Sequence, residues 1–596
     1  MVRAPTLIKL ILGLFLIVSL PHPILAAPPS GDKIVTLDDE LASCYIHLES
    51  VEVQDRPYIK FFTFMGTPPH LREDAVLVTS MWLHSLTGVP DKTFGGNTGY
   101  YAPLAVRAKI DSRDKNGKPK SEFIFVPKQR VKGSETVYWI DIRDYNWTEK
   151  AWELVSSAEA YIRKPYINEA AYDAIRVMSG NALVRADWFL ANTADVTKQA
   201  DFDPNNIALN TSKSEPFYYT LLYANTKIPR NGTEYRDIWG VNLQRINDNQ
   251  LARGTIVDRG QSVVSRNARE LARGGLDTGY HWESSDFKQN RGRNDPIEHL
   301  SIERNKNGRA VHVNLGRKSD AHEFITSNLL GLQVYFLTDG KENRVEFADP
   351  TIVRDASDRT DDIRVRTARS CVVCHPYGIN IPSDALRQYL DDGVDLIIGT
   401  KEYRQAVKQF LLTDLGALIQ DDQVRYARSV VQTNGLLPEE NARTFQKVMD
   451  WYDRDVLLAQ AARECGVSVE EFKEKVGRVA KGRLARLTKA KDQGYGIPRH
   501  LWDDPNMGDF QLAMLAIHDQ GALPIEKEVE TTVTQIEVLE QRCSIMLGKT
   551  VLKWVPKGTR YDVVEKINEW YKVKYEGEKT GYLWENWVKV ISENEK

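Results

Sequence analysis

The amino-acid sequence predicts a multidomain α+β fold with a mixed N-terminal region, a largely helical region after residue 321 and a small all-β barrel at the C-terminus. Its 596 residues are too many for one hydrophobic core. Between residues 401 and 491, apolar side chains recur at spacings of three or four, which is typical of amphipathic helices. After residue 533, short runs rich in valine and aromatic residues alternate with Gly, Lys and Asn turns, which favours strands.

The composition is that of a soluble globular protein. Apolar residues make up 42% of the chain and charged residues 27%, so large cores are possible. The 79 basic residues nearly balance the 82 acidic residues. A net charge of -3 provides no field that would attract nucleic acid or an anionic membrane surface. We therefore expect no nucleic-acid partner.

Residues 1–26 have the pattern of a secretory signal peptide. Two basic residues, Arg3 and Lys9, precede an apolar run at residues 10–20, and a small residue suited to cleavage follows at Ala26. A membrane anchor is the other interpretation, but the run is shorter than the roughly 20 apolar residues of a spanning helix. We expect an exported protein of the periplasm or cell surface, with no transmembrane segment after signal cleavage.

Residues 27–190 are expected to form an N-terminal α+β domain. The run 136–142 predicts a strand, and Thr148 followed by Glu149 favours the start of a helix. Residues 191–320 are rich in Asn, Arg and Gly, which predicts a loop-rich middle region.

The region 321–520 opens with a hairpin signal and continues as helices. Strand-like runs at 332–337 and 344–347 flank the turn dipeptide Asp339-Gly340. A helix is expected to start near Pro382. Cys465 falls on the inner side of a helical stretch at 457–476, so burial explains it.

Two of the five cysteines lie in the pentapeptide Cys371-Val-Val-Cys374-His375. The C-x-x-C-H spacing is the attachment signature of c-type haem. The two thiols add across the vinyl groups of the porphyrin, and the adjacent imidazole ligates the iron on the proximal side. We therefore expect one covalent haem c, tethered by Cys371 and Cys374 and ligated by His375.

Two other interpretations of the cysteine pair are a structural zinc site and a redox-active dithiol. Zinc needs four ligands, and no second Cys pair or closely spaced His pair in the sequence completes such a set. A dithiol of thioredoxin type belongs to a strand-helix-strand pattern, which does not surround Cys371. The odd number of cysteines also excludes a fully paired disulfide framework.

Several residues are candidates for the second axial ligand of the iron. Met449 is the first choice, because a thioether opposite the imidazole raises the potential, although filling a gap in the core is its alternative role. The further candidates are Met507, Met514, His500, His518, His281, His299, His312 and His322. Solvation or ordinary hydrogen bonding is the other interpretation of each histidine. An open sixth position would favour ligand binding or peroxide chemistry.

The segment Arg185-Ala-Asp187-Trp188-Phe189 combines a charge pair with two aromatic side chains. Two interpretations are open for it. The segment holds a substrate or a haem propionate, or it is a structural ion pair packed beside aromatic side chains.

Four stretches near the C-terminus are similar to those of bacterial SH3-like domains. They are Pro-Lys-Gly-Thr at 556–559, Glu-Trp-Tyr-Lys-Val-Lys at 569–574, Lys-Thr-Gly-Tyr at 579–582 and Trp-Val-Lys-Val at 587–590. The resemblance implies a small barrel over residues 533–596 that binds the cell wall or another extracytoplasmic partner.

The segments at 185–189, 339–341 and 370–375 together resemble large exported bacterial cytochrome-c-like proteins with one haem motif. The resemblance implies a haem-binding redox protein over residues 130–480, in which Cys371, Cys374 and His375 carry over as functional positions. We expect a monohaem electron-transfer protein with a redox partner, rather than a classical enzyme. The alternatives are a peroxidase-like haem oxidoreductase with an open distal site and a cell-wall-associated binding protein.

Overall fold

The computed structural model describes most of the chain. The described residues are 35–89, 99–113, 118–159, 169–196, 215–241, 253–257, 268–276, 279–286, 301–304, 310–314, 319–353, 355, 364–380, 415–489, 495–504, 508–518, 535–539, 543–547, 550–567, 570–575, 579–584 and 587–591. The predicted signal peptide at 1–26 and the helix expected near Pro382 lie outside these ranges.

Fifteen α-helices lie within the described ranges. They are α1 (Leu37–Glu49), α2 (Pro69–Ser85), α3 (Glu149–Ser156), α4 (Glu169–Ser179), α5 (Ala186–Ala194), α6 (Phe217–Leu222), α7 (Gly232–Trp239), α8 (Arg369–Cys374), α9 (Leu415–Asn434), α10 (Pro438–Tyr452), α11 (Leu458–Glu464), α12 (Val469–Val479), α13 (Gly482–Lys489), α14 (Arg499–Trp502) and α15 (Asp509–Ile517).

The described strands are distributed over the whole chain. They are β1 (Ile59–Thr63), β2 (Ala105–Arg113), β3 (Pro119–Pro127), β4 (Val137–Asp141), β5 (Leu183–Arg185), β6 (Arg253–Val257), β7 (Ala268–Leu276), β8 (Gly279–Asp286), β9 (Ser301–Arg304), β10 (Ala310–Asn314), β11 (Ala321–Ser327), β12 (Gln333–Asp339), β13 (Arg344–Val345), β14 (Val456–Leu457), β15 (Gly496–Ile497), β16 (Gln535–Val538), β17 (Cys543–Leu547), β18 (Thr550–Val555), β19 (Arg560–Ile567), β20 (Trp570–Tyr575), β21 (Lys579–Trp584) and β22 (Val588–Val590).

Local side-chain chemistry sets the start of several elements. Thr36 and Asp39 form a reciprocal capping box at the start of α1. The Thr148 hydroxyl accepts a hydrogen bond of 3.1 Å from the amide of Ala151 and so caps α3. The strand predicted at 136–142 and the helix predicted from Thr148 are confirmed as β4 and α3.

Two sheets organise the chain before the haem motif. In the first, β1 pairs antiparallel with β4 and parallel with β5. The second is antiparallel with six strands in the order β13-β12-β11-β8-β7-β6. The pairing of β12 with β13 confirms the hairpin predicted around Asp339-Gly340. This six-stranded sheet positions the motif, because strands β11 and β12 carry the side chains that face it.

Two hydrophobic clusters connect regions that the sequence assigned to separate domains. One contains buried residues selected from the range Phe62–Tyr452, and the other contains buried residues selected from the range Leu37–Ile517. The predicted boundary after residue 190 falls inside α5, and the boundary after residue 320 falls just before β11, within the six-stranded sheet. The N-terminal and helical regions therefore share their cores.

The middle region, residues 191–320, contains more regular structure than its composition indicates. Its described parts include α6, α7 and strands β6 to β10. Strand β7, Ala268–Leu276, holds arginine and glycine residues but pairs with β6 on one side and β8 on the other. Backbone pairing on both sides holds these residues in a strand, although their composition is typical of a loop.

Helices dominate residues 415–489, the described part of the stretch 401–491 for which the apolar spacing predicts helices, and residues 401–414 lie outside the described ranges. The helical stretch expected at 457–476 is divided into α11 and α12, because Gly466 adopts a left-handed φ of 69° between them. Cys465 directly precedes this glycine and is 3% exposed, which confirms its predicted burial. Among the described helices, none is both long and apolar enough to cross a bilayer.

The C-terminal strands form one seven-stranded sheet in the order β18-β17-β21-β20-β19-β16-β22. Ile536, Val573 and Leu583 are fully buried in its core. Gly558, at φ 81°, provides the turn between β18 and β19. Among the strands that are described, β18 and β22 end the sheet without pairing with each other, so the closed barrel that the sequence predicts is not formed there.

Candidate functional site

The C-x-x-C-H segment folds as the short helix α8, with His375 at its C-cap. The helix begins at a γ-turn centred on Ala368, which has φ 69° and ψ -66° and is closed by a hydrogen bond of 3.0 Å between its neighbours. This backbone conformation is strained for a residue that carries a Cβ. Arg366 holds the turn, because its guanidinium pairs at 2.7 Å with the buried carboxylate of Asp195, which also forms a β-bridge to Ala368.

Both thiols of the motif are shielded from solvent and free of disulfide bonds. Cys371 is 2% exposed, and Cys374 is partly buried. The two residues are three positions apart on one helix, so they lie on the same face. Burial, together with the carboxylates of Glu323 and Asp355, raises the pKa of Cys371 well above its ordinary value and raises the pKa of Cys374 to about 12.

The imidazole of His375 is oriented by the backbone that follows it. Its Nδ1 lies 3.1 Å from the carbonyl oxygen of Gly378. Because a carbonyl oxygen only accepts, Nδ1 carries the proton and Nε2 of the neutral ring keeps its lone pair. Nε2 lies 3.6 Å from Oε1 of Glu323, beyond hydrogen-bond distance. Binding of a metal at Nε2 requires the Glu323 carboxylate to give up this position.

Strands β11 and β12 provide the layer that faces the motif. Glu323, Gln333 and Tyr335 project from one face of this sheet, since side chains alternate along each strand. The Tyr335 hydroxyl donates to Oε1 of Gln333 at 3.0 Å. Gly378, at φ 95°, lies against this layer, and a Cβ there would be 3.4 Å from Nε2 of Gln333 and from the ring of Tyr426. Glycine at 378 therefore allows the approach of backbone that orients His375.

Helix α10 packs beside α8 and is fixed to the motif at both ends. Arg369 forms an ion pair with Asp453, which directly follows α10, and the Tyr377 hydroxyl donates to Glu439 in its first turn. Met449 of α10 is 1% exposed and belongs to the same hydrophobic cluster as Cys371. Its burial fits a core role, and the role of distal ligand stays a prediction.

The other candidate ligands beyond α10 lie in different surroundings. Met514 is buried in the second hydrophobic cluster, which does not contain the motif cysteines. His500 is exposed on α14, and His518 lies at the C-cap of α15. Met507 lies outside the described residues.

Two of the upstream histidines lie on the far face of the six-stranded sheet. Side chains alternate along each strand, so His281 and His322 project from the face opposite the one that carries Glu323. Nδ1 of His281 lies 2.9 Å from the Thr326 hydroxyl, and the ring of His322 contacts two serine hydroxyls. Ordinary hydrogen bonding is thus confirmed for both. His299 and the side chain of His312 lie outside the described part of the chain.

The segment around Arg185 is structural. Arg185 is fully buried, and its guanidinium binds Glu159 at 2.9 Å, Glu464 at 2.8 Å and the carboxylate of Asp503. Its donors are already engaged within the protein, so a propionate or substrate has no access to them. The structural interpretation is confirmed for Arg185, although its partners are Glu159, Glu464 and Asp503 and not Asp187.

Within the described ranges, no group of three or more His, Cys, Asp and Glu side chains is placed to hold a metal ion.

Comparison with known proteins adds no relative. No protein-family model matches the chain, and neither a curated protein nor a solved structure matches it significantly. The function of the site is therefore inferred from its residues and geometry.

Proposed function

We propose that the chain is an exported c-type cytochrome that binds one haem covalently and transfers electrons. The observation that carries this proposal is the state of His375, whose Nδ1 is held 3.1 Å from the Gly378 carbonyl. Nε2 thus keeps the lone pair that would bind iron once the Glu323 carboxylate moves from its position 3.6 Å away. Cys371 and Cys374 are free thiols within one helical turn of His375 and would supply the two thioether bonds.

Bound haem supplies a reversible one-electron change of its iron. The protein residues would hold the group and control its surroundings. His375 is oriented before it meets the iron, because the Gly378 carbonyl fixes its ring. Val372 and Tyr335, which are 2% and 1% exposed, exclude water from this side of the site. The Arg369–Asp453 ion pair holds the motif helix against α10.

The thiol environment supports a tether rather than a redox-active dithiol. A nucleophilic dithiol needs a lowered thiol pKa, because the thiolate is the reacting form. In this chain, burial and the carboxylates of Glu323 and Asp355 raise the pKa of both Cys371 and Cys374. A dithiol with these values would react slowly at neutral pH.

The surroundings also support haem over structural zinc. Zinc requires four ligands, and the described residues offer no group of three that includes Cys371, Cys374 or His375. The three adjacent groups of the motif match the needs of haem, which requires only two thiols and one imidazole from this segment.

The partner of Nδ1 favours electron transfer over peroxide chemistry. A carboxylate bonded to Nδ1 makes a proximal imidazole a stronger electron donor. In this chain Nδ1 is bonded to the neutral carbonyl of Gly378. The second candidate function, a peroxidase-like haem oxidoreductase, requires an open distal position. Carbon monoxide distinguishes the two, since it binds ferrous haem where the sixth position is open.

We further propose that residues 1–26 direct export and that residues 533–596 act as an SH3-like docking module for the cell wall. Trp554 on the edge strand β18 is 65% exposed, and exposed aromatic side chains are common in binding surfaces. Deletion of residues 533–593 should release the protein from the wall fraction, and Trp554→Ala should weaken its retention. Unchanged fractionation of both variants would remove the reason for the module.

The haem proposal is tested with the mature protein purified from a host that matures c-type cytochromes. After acid-acetone extraction, we expect the pigment to stay with the protein and the pyridine haemochrome spectrum to give one haem per chain. The double variant Cys371→Ala with Cys374→Ala should lose the pigment, and the matched variant Cys465→Ala should keep it. A wild-type protein without covalent pigment would overturn the proposal.

A further inference from the structure

A second cluster of charged side chains is buried in the protein, separate from the motif. It contains two guanidinium groups and four carboxyl groups. The members are Arg185, Arg499, Glu159, Asp187, Glu464 and Asp503, and their side chains are at most 9% exposed. A buried group of this size needs a charge balance, because unpaired ions are costly in a medium of low dielectric constant.

The two arginines are fully engaged by three of the carboxylates. Arg185 binds Glu159, Glu464 and Asp503, as described above. Nη1 of Arg499 lies 2.9 Å from both oxygens of Glu464. Trp502 adds a third donor to Glu464, with its Nε1 2.7 Å from Oε2. Burial alone would lower the pKa of Arg185, but the surrounding carboxylates raise it, so this group stays charged.

Asp187 is the carboxyl group without a matching donor. Its Oδ2 is buried and accepts no hydrogen bond from the residues that the structure describes. This oxygen borders Gly66, where a Cβ would lie 3.8 Å from it and 3.0 Å from Cγ of Glu464. Within the six groups named, the carboxyl groups outnumber the guanidinium groups by two. Burial, Glu464 and Asp503 raise the pKa of Asp187 to about 6, against the lowering effect of Arg185 and Arg499.

We propose that this cluster is a proton-binding site, with the proton on Asp187, and that its occupancy is linked to the redox state of the Cys371–His375 motif. A proton there removes one uncompensated charge and turns an oxygen without a partner into a donor. The linkage rests on the haem proposed above, whereas the proton site does not.

A continuous set of contacts joins the cluster to the motif. The Tyr452 hydroxyl at the end of α10 donates to Oδ2 of Asp503 at 2.6 Å. Its carbonyl accepts from Nε of Arg499 at 3.0 Å. The next residue, Asp453, pairs with Arg369, which lies two positions before Cys371. The end of α10 is thus bound to the proton site on one side and to the motif helix on the other.

The direction of the linkage follows from charge. One electron from an external one-electron donor makes the motif more negative, so one proton from solvent binds the cluster more tightly. Reciprocally, a protonated cluster favours reduction. We therefore expect the reduction potential to fall as pH rises through the pKa of Asp187.

The proton site is tested by unfolding the full chain in urea between pH 4 and pH 8. The pKa of Asp187 is raised from its ordinary 3.8 to about 6 in the folded protein, so the folded state holds the proton more tightly. Its contribution to the folding equilibrium constant should fall about thirtyfold between pH 4 and pH 6. Asp187→Asn, which resembles the protonated acid, should lack this fall. An identical pH dependence of variant and wild type would overturn the proton site.

A second measurement covers the case in which Asp187→Asn fails to fold. The infrared difference spectrum of wild-type protein between pH 5 and pH 8 should show loss of a buried carboxylic acid band. Burial also raises the pKa of Glu40 to about 7 and that of Asp144 to about 6, so the double variant Glu40→Gln with Asp144→Asn is the matched control. Loss of these two groups should remove only part of the band, and the absence of any remaining band in that control would overturn the proton site.

The linkage is tested by reductive titration of the haem protein at a series of pH values. Wild type and Asp144→Asn should show a potential that falls between pH 5 and pH 7, and Asp187→Asn should show a flat dependence. Asp453→Asn, which breaks the contact with Arg369, should flatten it while keeping the infrared band. A slope that persists in Asp187→Asn overturns the linkage. A protein without haem overturns the proposed function and the linkage together, and the urea result alone then decides the proton site.

Discussion

Removal of the Arg185 guanidinium should destabilise the protein strongly. Arg185→Met keeps most of the aliphatic stem but removes the guanidinium from Glu159, Glu464 and Asp503, of which Glu464 and Asp503 keep Arg499. Because Arg185 has three buried ion pairs, with side chains no more than 9% exposed, the loss leaves uncompensated charge in the core. Breaking one buried pair in this way costs about 3–5 kcal/mol. That is a large part of the 5–15 kcal/mol by which folded domains are typically stable.

The assay is urea unfolding at pH 8 and at pH 5, followed by tryptophan fluorescence. Trp502 reports on the cluster, since its Nε1 donates to Glu464. The loss in free energy of unfolding caused by Arg185→Met should be smaller at pH 5, because the carboxyl groups that lose the guanidinium take up protons there. A free energy of unfolding within about 1 kcal/mol of wild type at both pH values would refute the reasoning.

Arg143→Met is the matched control for this experiment. Arg143 also pairs with two carboxylates, Asp141 at 2.5 Å and Asp55 at 2.9 Å, but its side chain is 36% exposed. Exposed pairs contribute about 0–1 kcal/mol. The contrast between the two variants separates the effect of burial from the number of ion pairs.

Three further variants test other parts of the structure. Ala368→Gly should relieve the strained γ-turn before the motif and raise the free energy of unfolding by about 1 kcal/mol, measured in urea, and a loss would contradict the strain. Asp422→Asn should lower that free energy by about 3 kcal/mol, because the carboxylate accepts from Nε and Nη2 of Arg273 at 2.8 and 2.7 Å and from Nε1 of Trp282 at 2.8 Å. Asp422→Asn should also speed proteolysis within α9. Proteolysis at the wild-type rate would show that the contacts of Asp422 with Arg273 and Trp282 do not stabilise α9. Cys371→Ala alone should keep pigment bound through one thioether, with a shifted haemochrome band, and complete release would contradict a two-bond attachment.

Elements with local signals were predictable from the sequence. The strand at 136–142, the Thr148 cap and the turn at Asp339-Gly340 each depend on residues that are neighbours along the chain. The division of the stretch at 457–476 was missed, although Gly466 is a local signal for the end of a helix.

The surroundings of the candidate site were not predictable in this way. Arg185 lies 26, 279 and 318 residues from Glu159, Glu464 and Asp503, so no pattern along the chain indicates the cluster. Glu323 faces His375 because the pairing of β11 with β12 and β8 fixes its face of the sheet. Residues of this kind are found only once the long-range pairing is known.

The three residues expected to bind haem were identified from a short sequence motif. Cys371, Cys374 and His375 lie within five positions, a spacing that the porphyrin would set in the proposed cytochrome. The structure adds that the Gly378 carbonyl orients His375 and that Asp355 and Glu323 raise the thiol pKa values.

Peptide mass spectrometry is the most direct test of covalent haem attachment. Trypsin cleaves after Arg369 and Arg387, so residues 370–387 form one peptide that contains the whole motif. For mature protein from a host that attaches haem c, we expect this peptide to carry the mass of one haem and to absorb visible light. A peptide with two free thiols, or one lighter by two hydrogens from a Cys371–Cys374 disulfide, would contradict the proposed function.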